Sequence, residues 1–327
     1  MKSSLRKKFV GALLALGVLV IWGGVSLSPA QEKYPVRPIN LIVTTAAGGG
    51  QDMTARALQP HLDKALGTPV LIINKAGAGN AIGLSEIANA AADGYTIGQA
   101  SPSMNIIKYT MKAGIDYLNY EPIAFGGYSP SSLLVRKDAP WKNLKEILDY
   151  ARANPGKLRV GNSGTGAIFH ISAIGMEHAA KVKFIHVPYK GTSPSFPAIL
   201  GGHIDAIVTG ITDTFPLIKA NKLKVLGVAS AERSKFVPEA QTFRELGMNA
   251  EFATFYSWIS PKGVTGEKIN ILVAAFKKAL ETREFKSFCD SQGVTIDFKG
   301  PRDLARFFEL EDQKWKELVS IGGIKPE

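Results

Sequence analysis

The chain has one cysteine in 327 residues, Cys289, which excludes an intramolecular disulfide and any cysteine-cluster metal site. Flanked by Phe288 and Asp290 in a helical pattern, that cysteine reads as a partly buried small hydrophobe rather than a nucleophile. Histidines number five, and they lack ligand spacing: His170 and His178 have no acid between them until Glu177, while His61, His186 and His203 stand apart. No metal is therefore expected. Charged residues are also sparse, at 20% against 45% hydrophobic, and Gly and Pro follow no repeat, so neither a disordered chain nor a fibre fits.

The formal charge of +11 suggests nucleic acid until its location is examined. Lys2, Arg6, Lys7 and Lys8 precede an uncharged apolar run over residues 9–22, and the small-residue site Ser28, Pro29, Ala30 follows. That order predicts a secretory signal over residues 1–30, cleaved near Ala30, because the apolar run is shorter than the ~20 residues a membrane span needs. Without the signal, 35 bases face 28 acids. These interleave, as over 142–146 and 277–283, in the manner of solvated helix faces, and no basic run carries the aromatics of a stacking platform. Nucleic acid is not an expected partner. The remaining positive excess favours anionic solutes only by long-range steering.

From Ile39 the pattern repeats as strand, Gly-rich turn and helix. Residues 39–45 predict a strand. Asp52 is expected to cap a helix with the stripe Leu58, Leu62, Ala65 and Leu66, closed by Gly67. Further strands are expected over 70–73 and 95–100. Near Ser129 and Pro130 the chain crosses to a second unit, with strands over 133–135, 158–160, 184–187, 204–208 and 224–229. After Thr242 it returns to the first and ends in helices over 268–280 and 302–321. The expected fold is α/β with two lobes, each a mostly parallel sheet flanked by helices: residues 31–130 with 245–327 form lobe 1, and residues 131–244 form lobe 2. In such sheets ligands sit off the carboxyl ends of the strands, in the cleft where the Gly-rich turns lie.

Three turns attract attention. Gly48, Gly49 and Gly50 before Asp52 leave backbone N–H groups at a helix start, suited to an anion such as a carboxylate, or simply form a tight turn. Gly77, Gly79 and Gly83 come near the dinucleotide fingerprint, but the next strand ends in Ser101, Pro102 and Ser103 without the ribose-binding acid. No cofactor is expected. The run Gly161, Asn162, Ser163, Gly164, Thr165, Gly166 offers hydroxyls and N–H groups at another helix start, with His170 one turn in. It is not a nucleophile elbow, because Thr165 stands where a glycine is needed.

Several motifs in order resemble the tripartite tricarboxylate transporter receptors, the Bug family. They are Tyr34, Pro35, Arg37 and Pro38 ahead of the first strand; Ala47, Gly48, Gly49, Asp52 and Arg56; and Asn74, Lys75, Gly77, Ala78 and Gly79. Asp93, Gly94, Tyr95 and Thr96; Val187, Pro188, Tyr189, Lys190 and Gly191; and Leu200, Gly201, Gly202, Ile204 and Asp205 complete them. The resemblance runs from Tyr34 nearly to the C-terminus. It implies a periplasmic solute-binding protein of the two-lobed, type II-like kind, a monomer that closes on a small carboxylated molecule, with membrane permease subunits as expected partners. Carried onto this chain, one carboxylate is held by Ala47, Gly48, Gly49, Gly50, Asp52, Gly77, Ala78, Gly79 and Asn80 with Ser101 and Ser103. Ser163, Gly164, Thr165, Gly166, His170, Lys190, Gly191, Thr192 and Asp205 select the rest of the ligand.

The chain departs from that pattern at Thr44, where the family usually has Pro, at Phe255 in place of a common Trp, and at Ile168 and Phe169, often Pro and Ser. Phe169, if it faces the cleft, supplies a flat wall that favours an aromatic or long-chain carboxylate over a short hydroxyacid. A binding protein with no catalytic residue is the leading expectation. The alternative is an exported α/β hydrolase using Ser163 and His170; a nucleotide-dependent enzyme conflicts with export and with the missing ribose acid.

Overall fold

The computed structural model describes residues 33–326, so the export signal expected over residues 1–30 lies outside the described part. In chain order the elements are β1 (Ile39–Val43), α1 (Gly50–Leu66), β2 (Val70–Asn74), α2 (Ala81–Ala88), β3 (Thr96–Ala100), α3 (Ser103–Thr110) and the long β4 (Tyr120–Arg136). They continue with α4 (Leu144–Ala153), β5 (Leu158–Asn162), α5 (Ile168–Ala180), β6 (Phe184–Pro188), α6 (Ser195–Leu200), β7 (Ala206–Gly210), α7 (Ile211–Lys219) and β8 (Leu223–Val228). Last come β9 (Gln241–Thr242), β10 (Ala253–Pro261), α8 (Gly266–Leu280), α9 (Arg283–Gln292), β11 (Thr295–Lys299) and α10 (Pro301–Ile321). No described helix is long and apolar enough to cross a membrane.

Local chemistry explains where these elements begin and end. β1 buries Ile39, Leu41, Ile42 and Val43, as a strand covered on both faces must. α1 turns Leu58, Leu62 and Leu66 inward and stops at Gly67, whose φ of +69° lets its N–H donate to the Asp63 carbonyl. It begins at Gly50, so Asp52 is not the cap but stands in the first turn. α4 has a reciprocal cap: Asn143 accepts from the Glu146 N–H, and the Glu146 carboxylate accepts from the Lys142 N–H.

The strand order is β2-β1-β3-β10-β4-β7-β5-β6, with β11 and β8 also on β4, and β9 on β8. The ladders β1–β2, β1–β3, β5–β6, β5–β7 and β8–β9 are parallel, as strand–helix alternation requires. Every antiparallel ladder runs through β4 or β10, so the sheet as a whole is mixed. β4 pairs with β10 and β11 as far as Pro130 and with β7 and β8 from Ser131 onward. Its seventeen residues contain Pro122, Gly126, Gly127 and Pro130, which break the apolar alternation; the sequence therefore shows only its last apolar stretch. Gly127 is required where it stands, since a Cβ there would lie 2.4 Å from the Thr295 carbonyl oxygen.

Where the chain changes sheet, three main-chain hydrogen bonds close a ring. Ser131 N–H donates to Phe252 O (2.8 Å), Phe252 N–H to Ala229 O (2.9 Å) and Ala229 N–H to Ser131 O (2.8 Å). The Ser131 hydroxyl meets that of Ser172 on α5 at 3.0 Å.

Apolar clusters fill the two sides. Ile42, Leu84, Met104, Phe125, Phe255, Leu304 and Phe308 pack around the first sheet. Leu133, Ile147, Val160, Phe169, Phe252, Trp315 and Leu318 pack on one face of the second, and Leu134, Ile199, Ile207 and Val225 on the other. The last helix is thus shared. α10 gives Leu304 and Phe308 to the first core and Trp315, Leu318 and Val319 to the second, so its C-terminal half does not follow the expected assignment of residues 245–327 to one lobe. Cys289 is buried, as expected, and burial pushes its thiol up to about 12.

The Trp315 indole N–H donates to Glu311 Oε2 at 2.8 Å, with both residues buried. Trp315→Ala is expected to lower unfolding free energy by about 3–5 kcal/mol, because it opens a cavity and removes a donor from a buried carboxylate. Urea unfolding followed by far-UV circular dichroism checks this, and a loss below about 1 kcal/mol would mean the C-terminal half of α10 is not docked.

Candidate functional site

The first loop group sits at the carboxyl ends of β1, β2 and β3. Asp52 organises it. Its carboxylate accepts from the Gly48 N–H (2.8 Å), from Arg56 Nε (3.0 Å) and from Asn74 Nδ2 (3.0 Å), and Asn74 also donates to the Thr45 carbonyl. Burial alone would raise this acid, but the bonds from Arg56, Gly48 and Asn74 outweigh burial and hold it below the ordinary carboxylate range. Asp52 is only 3% exposed and fully engaged, so it shapes the turn instead of facing a ligand, and it takes the Gly48 N–H out of use. Ala47, Gly48 and Gly49 are exposed around it.

Residues 77–80 all have positive φ, from +45° at Ala78 to +129° at Gly77. For Ala78 and Asn80 this is a strained conformation, held in part because Asn80 Nδ2 donates to Ser103 Oγ at 2.9 Å. Ser101 Oγ lies 3.4 Å from the same oxygen. The structure therefore unites two of the expected segments, 77–80 and 101–103, at the starts of α2 and α3.

The second loop group lies at the carboxyl ends of β5, β6 and β7. Asn162 Oδ1 accepts from the Gly164 N–H (3.0 Å), His170 Nδ1 accepts from the Gly166 N–H (3.1 Å), and the Gly191 N–H donates to the Ser163 carbonyl (3.2 Å). Thus the turns at 163–166 and 189–191 form one unit. Lys190 and Thr165 are exposed, with Gly191 and Thr192 half-buried.

The two groups meet at two places. A Cβ on Gly50 would lie 3.5 Å from both Asp213 Oδ1 and the Tyr256 hydroxyl, and 3.8 Å from Thr212; one on Gly166 would lie 3.3 Å from Thr110 on α3. Thr45 Oγ1 and Gln51 Oε1 on one side, and Asn162 Nδ2 and Ser163 Oγ on the other, are buried without a hydrogen-bond partner. Polar atoms in that condition are rare in folded proteins.

Three expected site residues take structural roles. Phe169 is 5% exposed and packs in the second core, with its ring 3.5 Å from where a Gly210 Cβ would be, so it is no wall of the cleft. Asp205 stands at the amino end of β7, where its carboxylate takes Arg159 Nη2 (2.7 Å), Nε (3.0 Å) and N–H (2.8 Å). That pair staples β5 to β7 at the end away from the loops. His170 braces the 163–166 turn, and burial, then the nearby His186, hold its imidazole down to about 4, so it is neutral. No hydrogen bond joins Ser163 to His170; among the described residues the pair does not form a nucleophile and base. Phe255, another departure, is buried among Phe125, Phe307 and Phe308.

Residues 54–324 match the tripartite tricarboxylate transporter family receptors. A Cupriavidus necator protein encoded 5′ of gbd is 36% identical over 310 residues, 92% of this chain and 93% of its own. The chain belongs to this receptor family. Two solved structures from Rhodopseudomonas palustris are similar to the receptor. One, holding adipate, has a TM-score of 0.81 at 26% identity and covers 90% of this chain and 100% of its own. The other, MatC with bound malate, has a TM-score of 0.78 at 27% identity and covers 88% and 100%. The receptor is thus a two-lobed α/β binding protein of the type II-like kind, and its family is one of receptors, not enzymes.

Two surface grooves of the receptor lie away from the loop junction. One of about 680 Å³ runs along α5 between His170, Glu177, His186 and Gly322, and one of about 330 Å³ lies between Leu148, Ala180 and Met248. Both are grooves between helix flanks. The loop groups are the better candidate, because four buried polar atoms without partners, Thr45 Oγ1, Gln51 Oε1, Asn162 Nδ2 and Ser163 Oγ, belong to them, against one, His186 Nδ1, in the α5 groove.

Sequence reasoning missed Thr45, Gln51, Thr209 and Asp213. The segment from Val208 to Thr212 repeats the strand, glycine, helix grammar, but with a single glycine it does not stand out. Asp213, in the first turn of α7, accepts from Thr209 Oγ1 (3.1 Å) and the Gly210 N–H. Protein packs round it while part of its surface stays accessible. Burial outweighs the two bonds and pushes its carboxyl up to about 6. The neighbouring Tyr256 hydroxyl is pushed above its ordinary value by burial first and then by Asp213, so it stays protonated.

An acid whose value rises on folding stabilises the fold below its unfolded value near 3.8, and that contribution is lost as pH rises through about 6. The shift is worth on the order of 3 kcal/mol. Asp213→Asn is therefore expected to raise the melting temperature at pH 7.5 and to leave it nearly unchanged at pH 4; an equal gain at both would contradict this origin.

Proposed function

We propose that the receptor captures a small carboxylated molecule between its lobes, formed by residues 31–130 with most of 245–327 and by residues 131–244, and closes on it. One observation carries the reading: four buried, unpartnered polar atoms, two from each loop group, at the ends of β1 and β5 and the starts of the helices that follow. A ligand touching both groups satisfies atoms in each lobe, so it binds the closed arrangement preferentially and shifts the population toward it. Its carboxylate would be met by main-chain N–H groups of the first turn of α1, which have no partner within the helix, and by hydroxyls. The malate and adipate held by the two similar receptors support this chemical class. The work of the protein is then periplasmic capture, followed by delivery to membrane permease subunits or to a signalling partner.

Isothermal titration with C4 to C6 dicarboxylates and aromatic carboxylates tests the reading. Ser163→Ala and Asn162→Ala are each expected to weaken the tightest ligand about ten-fold, the effect of removing one buried hydrogen bond. Asp205→Ala, at the far end of β7, is expected to lower stability but to leave affinity within about two-fold. The opposite pattern would move the site away from the loop junction.

A further inference from the structure

The flank of the second lobe carries two grooves that share a wall. Arg152 and Lys181 line both the groove of about 680 Å³ and the one of about 330 Å³, so the two adjoin at the C-terminal ends of α4 and α5. Their floors are apolar, with Leu148 and Met248 in the smaller and Ile174, Val182 and Phe184 in the larger. Gly322, after the end of α10, closes the larger groove at short range, since a Cβ there would lie 2.8 Å from Ile174.

The rim is cationic, and its acids are already engaged. Asp149 is held by Lys145 (2.6 Å) and Arg152 (2.7 Å), and Glu177 by the Phe184 N–H (2.9 Å) and by His186 (3.1 Å). Arg152 Nη2 also donates to the Ala180 carbonyl, which pins the guanidinium between the two grooves. Lys181 is exposed, and no ion pair among the described residues includes it. Its backbone is left-handed, with φ of +53° and ψ of +48°, at the position after α5 where glycine is the ordinary residue. A side chain there costs stability that glycine would spare, and such strain points to a role outside the fold. Attraction to the helix C-terminus does not account for it, because a lysine one residue later gains the same attraction without the strain.

We propose that the adjoining grooves form a docking surface for an acidic peptide segment of a partner protein, with apolar residues on either side of its acids. The acids meet Arg152 and Lys181, and the apolar residues enter the two floors. Charge excludes one occupant from the chain itself, because residues 1–30 carry four bases and no acid. A membrane surface fits less well: Ile174, Val182 and Phe184 are each at most 7% exposed and lie below the rim, out of reach of a flat bilayer. The inference is independent of the carboxylate site.

Fluorescence polarisation at low ionic strength, where surface charge is least screened, tests this on the purified receptor. The probes are fluorescein-labelled Leu-Asp-Glu-Leu-Val-Glu-Asp-Leu, the same peptide with Ser for Leu and Val, and the same peptide with Lys for Asp and Glu. The first is expected to bind about ten-fold tighter than either of the others. Arg152→Glu is expected to weaken it about five-fold, with circular dichroism establishing that the variant folds. Lys181→Gly is expected to weaken it about three-fold while raising the melting temperature, a combination that a lysine kept for the fold does not produce. Equal affinity for the serine peptide would reduce the effect to general charge attraction and overturn the grooves as the seat. Full affinity in both variants, or no binding to the wild-type receptor, would overturn them too. Binding to vesicles of equimolar phosphatidylcholine and phosphatidylglycerol, lost in the same variants while no peptide binds, would replace the peptide by a membrane surface.

Discussion

Ser131, Ala229 and Phe252 each give one main-chain N–H and take one main-chain carbonyl from another of the three. At this ring β4 passes from one sheet to the other, β8 ends and β10 begins, so the positions of both sheets are set from a single point. Each bond is worth only about 0.5–1.5 kcal/mol net, but a broken one would leave buried donors and acceptors unmet. Because β4 runs antiparallel to the strands on either side, the carboxyl ends of β1 and β3 and those of β5 and β7 come to one boundary. The helix starts after these strands supply the site.

The site is built mainly from backbone. Asp52, with Arg56 and Asn74, uses its side chain to hold a glycine turn, and His170 does the same for the turn of the second lobe. Two charged groups at the edge of the site are neutralised within the protein, Asp52 by Arg56 and Lys75 by Glu86. Asp213 has no cationic partner among the described residues, its bonds coming from the Thr209 hydroxyl and the Gly210 N–H. A carboxyl raised to about 6 and without a counter-cation costs stability at neutral pH. α10 adds a constraint on movement, because it packs Leu304 and Phe308 in one core and Trp315 and Leu318 in the other. Closure must either bend this helix or slide one of its ends.

Much of the architecture was legible because periodicity and glycine reported it. Leu58, Leu62 and Leu66 placed α1 and Leu144, Ile147, Leu148 and Ala151 placed α4, as their burial confirms, and Gly67 ended α1, as its left-handed φ confirms. The crossing strand was legible only over 133–135, since proline and glycine interrupt its pattern where the chain bulges and changes partners. Within the site, the glycine turns were read from composition, whereas Asp205 was carried over from a motif whose role is to clamp Arg159 at the opposite strand end. Phe169 could not be placed from sequence, because an aromatic in the first turn of a helix can face either a core or a cleft, and Phe252 and Trp315 draw it into the core. Asp213 has no motif: its surroundings are made by Gly50 and Tyr256, which are remote from it in the chain.

Amide hydrogen exchange with and without a saturating carboxylate ligand tests the central claim most directly. Capture between the lobes predicts slowed exchange at residues 49–52 and at residues 163–167 together, with peptides from the α5 groove at 174–183 unchanged. Protection of only one loop group, or of the groove in place of both, would contradict closure at the junction of α1 and α7.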